Sequence, residues 1–190
     1  MALTVFTAPT AEPLTVEEAK SHLRVTDNDA ADEASIALMI AAAREYCERW
    51  CRRTFPTTTL KLTLDRFPPN ARAIVVPCPP LVSVTSIVYA DPNGTATTLP
   101  ANQYVVDNQS EPGRIVPAYS LVWPTTRGLV NDVTITLVAG SASVRASVKQ
   151  AMLLLVCHWY EHRGSVVVGT TNSQLEQGLE SLLWTERHEI

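Results

Sequence analysis

Proline divides this chain. Eleven of its thirteen prolines fall between Pro56 and Pro124; only Pro9 and Pro13 lie outside that span. The proline ring fixes φ and removes a backbone donor, so proline is excluded from helix interiors and tolerated in turns and at strand ends. The chain therefore reads as helical, then β, then helical. The expected fold is α+β: a small helical bundle with an inserted antiparallel β domain. The expected boundaries are a helical core from residues 1–55 and 141–172, a β domain at 56–140, and a C-terminal tail at 173–190 that docks on a partner.

Bulk properties narrow the function classes. Of 190 residues, 46% are apolar and 18% charged, enough to build a core and too few charges for intrinsic disorder. The net charge is −4, and the densest basic spot, Arg49, Arg52 and Arg53, is interleaved with Glu45 and Glu48. That pattern argues against a dedicated nucleic-acid binder. Cys47, Cys51, Cys78 and Cys157 include no CxxC pair, and a helical i,i+4 spacing suits a disulfide poorly, so free thiols in a reducing compartment are expected. Met1 to Thr10 lacks the pattern of a signal peptide, and Gln150 to Tyr160 is too short for a membrane span. Synthesis in the cytoplasm follows as the expectation.

Four helices are expected, near 15–24, 32–53, 143–163 and in the last residues. Thr15 and Glu18 form a Thr-x-x-Glu capping box, and Val16, Ala19, His22 and Leu23 make a short apolar face. Asp27, Asn28 and Asp29 can cap the second helix. That helix has two unlike halves. Ala34 to Ala43 carries no charge on any face, so it needs covering all round; its Ile36, Met39 and Ile40 are as suited to a neighbouring subunit as to the chain's own β block. The later half is amphipathic, with Glu45–Arg49 and Glu48–Arg52 as i,i+4 pairs. In the third helix, capped by Ser141 or Ser143 and ended by Gly164, the stripe runs through Val148, Ala151, Met152, Leu155 and Trp159. The last segment places Leu175, Leu179, Leu182, Leu183 and Trp184 on one side. It can dock on its own domain or in a partner's groove.

In the β block, Leu60, Leu62 and Leu64 alternate with polar residues, as do Val133, Ile135 and Leu137, the period of a half-buried strand. The phase changes between Val84 and Ile87, which predicts a bulge near Thr85. Asp91-Pro92-Asn93-Gly94 predicts a turn between two strands. Shorter strands are expected at Ala73–Val76, Gln103–Asp107 and Arg114–Val116. Trp123 lies in a loop, where it can anchor an interface or plug the β domain.

One catalytic pattern occurs. His158-Trp159-Tyr160-Glu161-His162 matches H-x-x-E-H, in which two histidines on one helical face bind zinc and the glutamate activates water. A third ligand is needed; Glu176, Glu180, Glu186 and Glu189 are available. The competing reading is helix-end polar groups, since cations near a helix C-terminus favour its dipole. No G-x-S-x-G, phosphate loop or dinucleotide motif occurs, Cys157 and His158 point about 100° apart on a helix, and Asp27, Asp29 and Asp32 lack the glycine and glutamate of a calcium loop. No catalytic residue and no cofactor are assigned.

Leu14-Thr15-Val16-Glu17-Glu18-Ala19-Lys20-Ser21-His22-Leu23-Arg24-Val25, followed by Ile36, Met39, Ile40, Ala42 and Ala43, resembles the start of the head–tail connector (adaptor) proteins of long-tailed bacteriophages and phage-like gene transfer agents. The likeness continues through Trp50, Arg53-Thr54-Phe55 and Pro77-x-Pro79-Pro80-Leu81, resumes over Val148 to Arg163, and reaches Leu179-Glu180-Ser181-Leu182-Leu183. The family's small residue–aromatic–Arg ending is replaced here by Trp184-Thr185-Glu186-Arg187. The resemblance implies a structural virion protein, not an enzyme, with about twelve copies in a closed ring at the head–tail junction. It implies portal protein on one side, contacted through the C-terminal segment (Leu175, Leu179, Leu182, Leu183, Trp184, Arg187), and a stopper or tail protein on the other. Ile36, Met39, Ile40 and Trp123 are the subunit-contact candidates. DNA would pass through without sequence-specific binding, and no membrane is involved. A stopper or tail-completion protein is the alternative within virion assembly, and a zinc hydrolase the alternative outside it.

Overall fold

The computed structural model describes residues 1–25, 30–162 and 171–188, with the side chains of 30, 31 and 171–175 left undescribed. The fold is α+β and divides into two compact units, each built from separate stretches of chain. A β unit comprises Met1–Thr10 and Thr57–Ser141; a helical unit comprises Ala11–Pro56 and Ala142–Ile190.

The β unit holds two antiparallel sheets. In the larger, β1 (Ala2–Thr7), β2 (Thr58–Leu64), β8 (Val133–Ala139), β4 (Leu81–Ala90) and β5 (Ala96–Thr98) lie side by side in that order. In the smaller, β3 (Ile74–Val75) pairs β7 (Arg114–Pro117), which pairs β6 (Tyr104–Asp107). The period-two pattern sets the register: Leu60 stands opposite Leu137 and Leu62 opposite Ile135, so a one-residue slip would turn all four away from the core. Those residues join Ile74, Ile87 and Ile115 in one apolar cluster drawn from both sheets. The β4–β8 register shifts between Val84 and Ser86, the bulge expected at Thr85. The β4–β5 turn is closed by Asp91, whose Oδ1 accepts from the amides of Asn93 (2.9 Å) and Thr95 (2.8 Å); Gly94, at φ +86°, takes the conformation a Cβ disfavours.

The N-terminal residues differ from expectation. The proline pattern puts them in the helical core, but Ala2–Thr7 pairs with β2, Leu3 opposite Leu62 and Val5 opposite Leu60. The alternation of Leu3 and Val5 with threonine is the strand signal that this assignment overlooks.

In the helical unit, α1 (Val16–Leu23) opens on the expected capping box: the Glu18 amide donates to Thr15 Oγ1 at 3.1 Å, and the Thr15 amide to Glu18 Oε2 at 2.9 Å. His22, placed on the apolar face by sequence, is exposed. The long helix α2 (Ala30–Cys51) buries Ile36, Ile40, Ala43, Cys47 and Cys51, a single stripe at helical spacing. Glu45–Arg49 forms at 3.8 Å, but Glu48 turns from the expected Arg52 to Arg44 at 2.7 Å and accepts the Phe55 amide at 2.9 Å. Arg44 also donates to Glu12 at 2.8 Å, so Arg44 and Glu48 together tie Glu12 to the Phe55 amide. The helix α3 (Ala146–Glu161) starts after Arg145, later than Ser141 or Ser143, and buries Val148, Ala151, Met152 and Leu155 as the stripe predicts. The expected terminator Gly164 and caps Asp27, Asn28 and Asp29 lie outside the described residues.

Candidate docking surfaces

The last helix, α4 (Thr171–Leu183), does not stand off as a tail. Leu179 and Leu183, four residues apart, are 4% and 0% exposed in the core shared with α2 and α3. Burial of two leucines contributes roughly 3–6 kcal/mol of transfer free energy, so neither is open to a partner in the folded chain. Leu182 is half-buried, and the side chain of Leu175 lies outside the described residues.

A 3₁₀ turn, Trp184–Glu186, follows. It turns Glu186 inward, to 4% exposed, where Oε1 accepts from Arg145 Nη1 at 2.7 Å and Oε2 lies 3.9 Å from Arg53 Nη1. The His188 amide donates to the Cys51 carbonyl at 2.8 Å, and the Arg187 guanidinium lies 5.4 Å from the centre of the Trp50 ring. The segment is thereby seated on its own helical unit. The inward turn of Glu186 leaves Trp184 outward and 62% exposed, with Thr185 and Arg187 beside it in solvent.

Ile36 and Ile40, expected at a subunit contact, are 0% and 1% exposed within the chain's own core, and Met39 packs against that core. The uncharged face that stays open on α2 is the other one: Leu38 is 72% exposed, and Ala34, Ala37 and Ala42 are exposed. It runs into a groove of about 590 Å³ lined by Ala42, Glu45, Tyr46, Arg49, Trp50 and Trp159. A stretch with no charge gives no sign of which face is solvated, so the sequence could not choose between Ile40 and Leu38.

Trp123 is a plug and not an exposed anchor. It is 8% exposed, stacks on Phe67 with ring centres 5.0 Å apart, and donates from Nε1 to the Arg72 carbonyl at 2.9 Å.

The histidine pattern falls at the end of α3. His158 and His162 rings lie 4.7 Å apart. His162 Nδ1 is 3.0 Å from the His158 carbonyl, and Glu161 accepts from the Cys157 thiol at 3.6 Å. Glu186, one of the four carboxylates available as a third ligand, is held by Arg145 and lies 3.9 Å from Arg53 instead. Among the described residues no cluster of three or more His, Cys, Asp or Glu side chains is placed to hold a metal ion. Burial pushes the thiols of Cys47, Cys51 and Cys78 up to about 12, which removes nucleophilic thiolate at neutral pH. No described helix is long and apolar enough to cross a membrane.

Comparison with known proteins gives a consistent picture. A sequence profile of the head completion protein family matches residues 12–178. No curated protein matches the chain. A chain in the virion of a native gene transfer agent particle superposes with a TM-score of 0.78 at 22% identity, over 100% of this chain and 97% of that one. A chain in the neck of an empty gene transfer agent particle, computed with C6 symmetry, gives 0.78 at 24% identity, and one in the neck of a native particle, computed with C12 symmetry, gives 0.73 at 24%. Both cover the same shares of each chain.

Proposed function

This chain belongs to the head completion protein family, and we propose that it is a structural protein of the virion neck: a head–tail adaptor whose copies form a ring between portal and the next head-completion or tail protein. The observation that carries the reading is the family match across residues 12–178, which takes in both units and not the helices alone. A fold shared with neck chains of gene transfer agent particles over the whole length supports it.

Within this reading the portal contact falls to Trp184, Arg187 and the half-buried Leu182. A large exposed aromatic beside a cation, on a segment held in place, is the composition of an interface anchor. The open face of α2 around Leu38 is the second contact surface, in place of Ile36 and Ile40. The ring has about twelve copies, the number that the family resemblance implies, each making the same contact with the next. DNA passes through it, and an acidic subunit suits a channel that does not grip phosphate.

The test is cryo-electron imaging of the purified protein mixed with its cognate portal, with mass photometry alongside. A ring stacked on portal is expected, and Trp184→Ala is expected to weaken attachment without unfolding the chain. Absence of any complex with wild-type protein would refute the adaptor reading.

A further inference from the structure

The β unit presents two apolar surfaces that its own core does not use. The first is the loop 118–131. It exposes Tyr119 (99%), Val122 (76%), Leu129 (55%) and Val130 (76%). Its one charged residue, Arg127, is turned to Asp132 at 2.8 Å. The loop is held in shape: besides the Trp123 plug, its backbone donates from Arg127 to Ala90 O (3.1 Å), from Leu129 to Asp132 Oδ2 (2.7 Å) and from Asn131 to Asp65 Oδ1 (3.1 Å). These anchors fix it at the end of the larger sheet, past β4 and β2. A loop ordered this firmly while holding apolar side chains in water is preorganised for contact.

The second surface is β1, at the edge of the same sheet. Leu3, Val5 and Phe6 are 38%, 64% and 56% exposed, with Lys61 over one face of the Phe6 ring at 3.7 Å. Edge strands are ordinarily protected by charge, proline, a covering element or short length. Ala2–Thr7 has no charge and no proline, and all six residues are exposed.

We propose that loop 118–131 of one copy packs on the β1 edge of a second copy. The proposal rests on the ring reading. Two unlike patches at different places on one unit are what a head-to-tail contact needs, and each copy then covers both. The loop's one charge, Arg127, is paired with Asp132, and the ammonium beside the edge, Lys61, already lies on the Phe6 ring, whereas a polyanion finds nothing to bind in the loop. The exposed apolar side chains of the two patches together offer on the order of 1,000 Å², at the lower bound for a stable interface. Such a contact is weak in solution and firm once a template aligns the copies.

Sedimentation equilibrium of the full chain up to about 1 mM, the range of a weak contact, tests this with two variants: Tyr119→Lys with Val122→Lys, and Leu3→Lys with Val5→Lys. Wild-type average mass should at least double with concentration. Each variant alone should stay monomeric, with an unchanged circular dichroism melt for the loop pair. An equimolar mixture should recover dimers and stop there, because one intact loop meets one intact edge. Wild type that stays monomeric, either variant associating like wild type, or a mixture that stays monomeric overturns the proposal. Portal binding separates this failure from that of the ring reading. Variants that ring normally on portal sink the contact alone, and wild type that ignores portal sinks the reading beneath it.

Discussion

Glu186 Oε1 accepts a 2.7 Å hydrogen bond from Arg145, a residue 41 positions earlier that itself remains largely in solvent. This pair seats the C-terminal turn. Glu186→Gln keeps the shape and removes the negative charge that Arg145 binds and Arg53 faces. The expected cost is about 1–2 kcal/mol, less than for a fully buried pair because water screens Arg145. Urea unfolding measures it, and hydrogen exchange should show faster exchange of the His188 amide, which bonds Cys51 O. An unchanged midpoint and unchanged protection would show that the pair does not hold the segment.

Leu183 and Trp184 are neighbours with opposite roles. Leu183 is fully buried and Trp184 62% exposed. Leu183→Ala opens a cavity between helices and should cost about 2–4 kcal/mol. Trp184→Ala should change stability by no more than about 0.5 kcal/mol. Thermal melts of the two variants decide this; a Trp184→Ala loss as large as that of Leu183→Ala would place Trp184 in the core.

The Asp132 carboxyl links stability to pH. Burial alone would raise it, but the Leu129 amide and Arg127 hold it below its ordinary value of 3.8. The folded state then binds fewer protons than the unfolded chain as pH drops. The contribution is complete above pH 3.8 and lost as pH falls through the lower folded value. Asp107 behaves alike, depressed chiefly by Arg114, 2.7 Å away. Asp132→Asn should lower Tm at pH 7 and flatten the fall of Tm below pH 4. Equal acid slopes in both proteins would remove Asp132 from the account.

Thiol chemistry should separate the cysteines. Cys47, Cys51 and Cys78 are buried with thiols raised to about 12. Cys157 is half-buried, raised first by burial and then by Glu161. Iodoacetamide at pH 8 should label Cys157 slowly and the other three only after unfolding, as peptide mass spectrometry would show. Native labelling of Cys47 would mean that α2 opens readily.

The strand periods, the capping box, the Thr85 bulge and the α3 stripe were legible because each follows from local spacing. What escaped depended on distant partners. An uncharged helix face looks alike on both sides, so Ile40 and Leu38 could not be told apart. A glutamate near the end of the sequence looks solvated, and nothing near Glu186 announces Arg145. Strand β1 does alternate Leu3 and Val5 with threonine, but both of its faces are exposed and its partner β2 lies some fifty residues on.

That last separation bears on biosynthesis. The order β1–β2–β8 places a strand from the first residues of the chain beside strands whose sequences end at Leu64 and Ala139. During translation Ala2–Thr7 emerges well before β2, which itself stays uncovered on one side until residues 133–139 leave the ribosome. The helical unit is likewise incomplete until α3 and α4 appear. Neither unit can finish before its later elements appear, so nascent chains of this protein carry an unpaired strand edge until residues 133–139 are out, a period in which chaperone binding competes with aggregation.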